Sequence, residues 1–200
     1  LLRERLFLSL RCSFSLSKGL STAFPFSQGM PMHSTATDID WRPDMVPISR
    51  RFDDPYFSLD NGLAEKRYVF LEGNGLPDRF QDGFSIAELG FGTGLSFLTT
   101  LLSWRERQCS GTLQFTSFEA FAMQPDDMTL ALFAFEELKD IANEFAPYWS
   151  ELLATGNIAL PDVQLSLIQG DACSEVPKWS GLADCWYLDG FSPAKNPELW

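Results

Sequence analysis

From residue 84 onward, short apolar runs alternate with longer stretches of helical spacing, and that alternation predicts the architecture. Four runs read as strands: Phe84–Leu89, Leu113–Phe118, Val163–Ile168 and Asp184–Leu188, each short, apolar and ended by Gly or an acid. Helical stretches lie between them at Leu95–Gln108 and Met128–Phe145, the latter preceded by Pro125 with Asp126 and Asp127 suited to a first turn. Strands alternating with helices imply an α/β fold with a parallel sheet and right-handed crossovers. The expectation is a Rossmann-like, mostly parallel, doubly wound sheet whose ligands sit at the C-terminal strand ends. The sequence stops at Trp200, just after the fourth strand and its loop, so the domain is expected to be truncated there and to belong to a longer protein.

Upstream the pattern differs. Residues 48–80 alternate aromatics with charges, and Tyr68-Val69-Phe70-Leu71, closed by Gly73-Asn74-Gly75, predicts one more short strand. Residues 34–47 are polar and punctuated by Pro43 and Pro47, whereas residues 1–29 are rich in Ser, Leu and Phe with almost no acid. That leader fits either an organellar transit peptide or an upstream extension ahead of a start near Met30 or Met32. The chain thus divides into a disordered leader or extension (1–46), an N-terminal substrate-side segment (47–83) and a partial cofactor-binding domain (84–200).

Composition narrows the chemistry. With 45% hydrophobic and 21% charged residues, the chain is an ordinary globular one. Arg5 and Arg11 break the only greasy N-terminal stretch, so no run reaches the roughly 20 residues a membrane span needs. Cys12, Cys109, Cys173 and Cys185 are dispersed without a C-x-x-C pair, which argues against a zinc site or disulfide framework and for a reducing, cytoplasmic setting. The single histidine, His33, lies in the leader, which removes Ser-His hydrolysis and His-ligated metals from the stretch that folds. Net charge is −12; residues 1–29 contribute +3 (Arg3, Arg5, Arg11 and Lys18 against Glu4), leaving −15 on residues 30–200. An acidic body disfavours a phosphate backbone as partner.

Against that background, Glu88-Leu89-Gly90-Phe91-Gly92-Thr93-Gly94 follows a strand and precedes a helix. Glycines at 90, 92 and 94 let the backbone turn tightly against a ligand. The spacing is G-x-G-x-G, with Leu95 where a dinucleotide fingerprint needs a small residue, and Glu88 repels a pyrophosphate while welcoming a cation. A sulfonium carrying an amino acid suits the loop better than NAD. The second strand closes on Glu119, 25 positions past Gly94 and near the offset at which an acid takes ribose hydroxyls. The third closes on Gly170-Asp171, placed for an adenine amino group. The fourth closes on Asp189-Gly190-Phe191-Ser192-Pro193, similar to the Asp/Asn-Pro-Pro-aromatic motif of methyltransferases acting on exocyclic amines. There Asp189 is suited to aim an amine's lone pair and take its proton, and Phe191 to stack on a base.

The strings ELGFGTGLSFL (88–98), FEAF (118–121), Gly170-Asp171 and LDGFSPAKNPELW (188–200), with DDPYFSLDNGLAEKRYVFLEGN (53–74) upstream, resemble the methyltransferase half of the bacterial tRNA 5-methylaminomethyl-2-thiouridine biosynthesis bifunctional proteins. The resemblance runs from about Pro47 to Trp200, and it implies a class I methyltransferase using S-adenosyl-L-methionine on the amine of 5-aminomethyluridine at the tRNA wobble position. It also implies Asp189 as catalytic residue, Glu88, Gly90, Gly92, Gly94, Glu119 and Asp171 around the cofactor, and Phe191 and Lys195 on the substrate side. The tRNA anticodon loop is the implied partner. FAD enters only if a fused FAD-dependent oxidoreductase domain lies outside this chain. Ser96, Ala120 and Ser192 depart from the usual Asn, Lys and Ala, and the missing Lys at 120 slightly weakens the case for RNA contact nearby. Residues 42–79 carry six basic residues against seven acids, so no basic patch stands out. A methyltransferase of small-molecule amines or polyamines is the alternative, favoured by the acidic surface; an inactive cofactor-binding adaptor is disfavoured by the intact Asp189.

Overall fold

A computed structural model describes residues 39–58 and 61–200. Residues 1–38, including most of the leader, lie outside them. Folded structure begins earlier than residue 47, because β1 (Ile39–Trp41) pairs antiparallel with β2 (Pro47–Ser49), which pairs with β3 (Asp54–Pro55). This small meander leads into α1 (Gly62–Lys66), whose first turn is capped by the Asn61 side chain accepting from Ala64 N–H.

The strand expected at Tyr68–Leu71 is instead helical. α1 runs on into a wide π-turn over Arg67–Leu71. The burial pattern gives the reason: Phe70 and Leu71 are both buried while Tyr68 and Val69 are 70% and 47% exposed. A strand alternates faces residue by residue, whereas a helix puts Leu63, Phe70 and Leu71 on one side. Apolar content alone did not reveal that period.

The main sheet has the order β6-β7-β5-β4-β8. β4 (Ser85–Leu89), β5 (Leu113–Glu119), β7 (Val163–Gln169) and β8 (Cys185–Leu188) are parallel, at the four places the pattern indicated. β6 (Asn157–Leu160) pairs antiparallel with β7 at one edge and was not anticipated. The helix expected over Met128–Phe145 is broken into α3 (Pro125–Leu132) and α4 (Lys139–Phe145), joined by a turn in which Phe133, Ala134 and Phe135 N–H bond back to Thr129, Ala131 and Leu132 carbonyls. A further helix, α5 (Trp149–Thr155), ends at Gly156, which has φ +75°.

Because β4 is flanked by β5 on one side and β8 on the other, the chain's winding reverses between β4 and β8. Such a switch point opens a crevice at the C-terminal strand ends. α2 (Leu95–Glu106) is buried along most of its length, at Leu95, Ser96, Phe97, Leu98, Thr99, Thr100, Leu101 and Trp104. The buried hydroxyls of Thr99 and Thr100 donate to the carbonyls of Leu95 and Ser96, each at 2.7 Å, so neither is stranded. Phe97 packs edge-on to Phe115 of β5 and Phe145 of α4, each 5.2 Å away. The opposite face of the sheet carries Phe118 and Trp186, covered by Trp179.

Phe97 is wholly buried at this helix–sheet junction, so Phe97→Ala is expected to lower stability by about 3–5 kcal/mol. Urea unfolding followed by circular dichroism checks it; a loss below 1 kcal/mol would show that the junction repacks.

Candidate functional site

The crevice at the switch point contains a cavity of about 280 Å³. Three elements build it: the glycine loop after β4, the ends of β5 and β7, and the loop after β8, with Arg51, Phe52, Tyr56 and Lys66 closing it from the N-terminal segment. Gly90 has φ +80°, and a Cβ there would lie 3.2 Å from Gly190 Cα. The loops after β4 and β8 therefore touch glycine to glycine. At Gly92, φ +55°, a Cβ would press on the Tyr56 ring at 3.3 Å. The N–H groups of Gly90, Gly92 and Gly94 are taken up by Phe118 O, Glu119 Oε2 and Phe91 O, so the loop presents a ligand with backbone surface bare of side chains.

Glu119 fastens this loop to β5. Its two carboxylate oxygens accept the Gly92 N–H at 2.9 Å and the Phe121 N–H at 2.7 Å. Burial pushes its carboxyl up, opposed by those N–H groups. Each oxygen keeps lone-pair capacity for a further donor, such as a ligand hydroxyl. Asp171 lines the cavity and also caps α6 (Ala172–Glu175), accepting from Cys173 N–H at 2.7 Å. Cap and cavity wall are the same side chain.

Asp189 lies at the meeting point of the loops. Lys66 forms an ion pair with its Oδ2, the two side chains being only 12% and 22% exposed. Ser96 Oγ donates to the same oxygen at 3.3 Å, and Gly190 N–H to Oδ1 at 2.9 Å. Lys66 is 123 positions from Asp189, and sequence reasoning missed it. No spacing rule links the two; the only signal was that both fall in strings shared with one family.

The remaining expected residues are distributed unevenly. Gly90, Gly92, Glu119, Asp171, Asp189 and Phe191 line the cavity, whereas among the described residues Glu88, Gly94 and Lys195 do not. Glu88 is wholly buried beneath the floor, accepting from Ser117 Oγ at 2.8 Å with its Oε1 unpartnered. Desolvation, with the Asp189 charge second, holds its carboxyl well above the usual range. Its strand position points the side chain to the α2 face, away from the glycine backbone. Gly94 caps α2 with φ +81° against the Phe91 ring. Lys195 pairs with Asp53 at 2.7 Å. Phe191 is stacked by Phe52 at 4.6 Å and met edge-on by Tyr56 at 5.0 Å, so part of its ring is already covered.

A mostly parallel sheet with a glycine-lined crevice at its switch point, acids closing β5 and β7, and an Asp-Gly-Phe loop after β8 is the Rossmann-like fold of the class I methyltransferases. Comparisons with known proteins agree. Residues 136–200 match the family described as S-adenosyl-L-methionine-dependent methyltransferase. The chain is 41% identical over 170 residues to the tRNA 5-methylaminomethyl-2-thiouridine biosynthesis bifunctional protein MnmC of Leptospira borgpetersenii, covering 81% of this chain and 26% of that protein. It is 42% identical over 184 residues to the Aeromonas salmonicida protein of the same name, covering 81% and 27%. The chain is thus a relative of the methyltransferase half of MnmC, and it spans about a quarter of those relatives' length. The crystal structure of MNMC2 from Aquifex aeolicus shares the fold, with a TM-score of 0.65 over 84% of this chain and 54% of that one at 22% identity. Among the described residues no helix is long and apolar enough to cross a membrane.

The raised Glu88 carboxyl gives a signed pH dependence. Its folded value exceeds the ordinary 4.5, so folding carries no penalty below that pH and loses stability as pH rises through the folded value. Glu88→Gln removes the penalty. Its melting temperature relative to wild type is expected to rise with pH from about 4.5 upward, by several degrees at pH 8; a gap that shrinks with pH would contradict the assignment.

Proposed function

We propose that this chain methylates the primary amine of 5-aminomethyluridine at the wobble position of tRNA, giving the 5-methylaminomethyl group. The observation that carries the reading is Asp189: a carboxylate held at the switch point, in one cavity with the glycine loop and Glu119. S-adenosyl-L-methionine fits the residues present, because Gly90 and Gly92 line the cavity at positions where a Cβ would crowd Gly190 and Tyr56, and Glu119 retains acceptor capacity. Gly90, Gly92, Glu119 and Asp171 would hold it, and it supplies a methyl group on a sulfonium, open to in-line attack.

The protein's part is placement. Asp189 accepts a hydrogen bond from the incoming amine, fixes the direction of its lone pair and receives the proton it sheds. Arg51, held over the Phe121 ring at 4.3 Å, lies at the rim with Phe52 and Tyr56, where a splayed-out anticodon base would enter. A single flipped base needs a pocket more than a long basic groove, which reconciles the reading with a net charge of −15 on residues 30–200. The relatives are named bifunctional and are about four times as long as the matched stretch, which supports a second domain outside this chain; that it is the FAD-dependent oxidoreductase and that the setting is cytoplasmic are part of the proposal. That same negative charge favours the second reading, methylation of free polyamines.

One assay separates the two: labelled S-adenosyl-L-methionine with tRNA lacking the final methyl, against free polyamines. Label is expected in tRNA, and Asp189→Ala is expected to lower kcat at least 100-fold with cofactor affinity within a few-fold. Label in polyamine alone would reverse the substrate assignment, and an undiminished Asp189→Ala would remove Asp189 from the chemistry.

A further inference from the structure

The Asp189 carboxylate poses a problem for the chemistry it is meant to serve. A lone carboxylate stabilises the ammonium form of a neighbouring amine, and an ammonium has no lone pair to attack with. The structure places a compensating cation beside it. Phe70 stacks on Tyr187 of β8 at 4.8 Å, and Tyr187 is wholly buried with its hydroxyl 3.2 Å from Thr100 Oγ1. Lys66 stands four residues before Phe70 on the same helical face, and Asp189 two residues beyond Tyr187 along the line of β8. Docking one aromatic pair therefore brings the second pair, ammonium and carboxylate, together. The Lys66 ammonium is further held 5.1 Å from the Phe70 ring centre.

We infer that Lys66 sets the charge state of the substrate: by pairing with Asp189 it cancels the carboxylate's field, so the reacting amine is bound neutral and the ammonium form is rejected. The inference rests on the amine-methylation reading above. Lys66 lines the same cavity as Asp189 and is nearly buried, so its charge acts on a bound amine with little screening. The other groups facing the pair do not supply a substitute. Ser96 from α2 is neutral, and Glu88 from β4 lies beneath, where burial favours its protonated form. Across the cavity, Glu119, Asp171 and Glu198 are acids, and Arg51 sits over Phe121. The proton balance is then simple: the amine enters neutral, forms its new N–C bond as the methyl–sulfur bond breaks, and the proton released goes to Asp189 and on to water.

The test compares wild type, Lys66→Met and Lys66→Arg in two ways. The first is kcat against pH, which reports groups ionising in the bound complex. Lys66→Met is expected to move the acid limb about one pH unit upward, leaving the rate about ten-fold lower at pH 7 and nearly restored at high pH; Lys66→Arg keeps the wild-type limb. The second is the affinity of a cofactor-free protein for an anticodon stem-loop whose wobble uridine carries a trimethylammoniomethyl group, a permanent cation. Lys66→Met is expected to bind it about ten-fold tighter. An unmoved limb, or weaker binding of the cation, would overturn the inference, since a merely structural role predicts losses in both. If Lys66→Met melts early, Lys66→Gln carries the same expectations. Should wild type label polyamines and not tRNA, the parent reading fails while the same pH series on the polyamine decides Lys66; with no transfer at all, the binding arm decides it.

Discussion

The structure depends on the contact between two glycine backbones at the switch point. Gly90 and Gly190 follow adjacent parallel strands, and at Gly90 any Cβ would come 3.2 Å from Gly190. Parallel pairing of Ile86–Leu89 with Cys185–Leu188 brings the two loops side by side. Only the missing side chains let them approach closely enough for Gly92 to be tied to Glu119 while Asp189 faces the same cavity. From this constraint follow the crevice and the proximity of glycine loop to carboxylate.

Around that contact the charges form a graded set. Glu88, sealed under the floor with one oxygen unpartnered, is driven toward its protonated form. Glu119 is half-buried, with both oxygens engaged by backbone. Asp189, partly buried, is balanced by Lys66. Environments that separate neighbouring carboxylates in this way let one strand-end cluster combine structural, binding and proton-accepting roles.

The parallel strands were legible in the sequence because each is a buried apolar run closed by a glycine or acid, and their ends fell within a residue of Ser85–Leu89, Leu113–Glu119, Val163–Gln169 and Cys185–Leu188. The acids at those ends were legible for the same reason. Tyr68–Leu71 was misread because four apolar residues carry no period by themselves; the helix is specified by the Asn61 cap and by Leu63, seven and eight residues before the buried Phe70 and Leu71. The break between α3 and α4 was hidden because Phe133 and Phe135 look like helical apolar positions, although both are partly exposed at a turn. Lys66 and the Phe52–Phe191 stack join residues more than 100 positions apart, and only the tertiary fold creates them. Asp189, the carboxylate proposed to take part in the chemistry, could thus be singled out from the sequence, and its partner Lys66 could not.

The central claim, that the touching loops of β4 and β8 form a methyl-donor cradle, is tested most directly by calorimetric titration of wild type and Gly90→Ala with S-adenosyl-L-methionine and with NAD. The account predicts one equivalent of S-adenosyl-L-methionine bound by wild type, none of NAD, and affinity for the methyl donor reduced at least ten-fold when a Cβ at position 90 pushes Gly190 away. NAD binding to wild type, or an affinity for the methyl donor unchanged by Gly90→Ala, would contradict it.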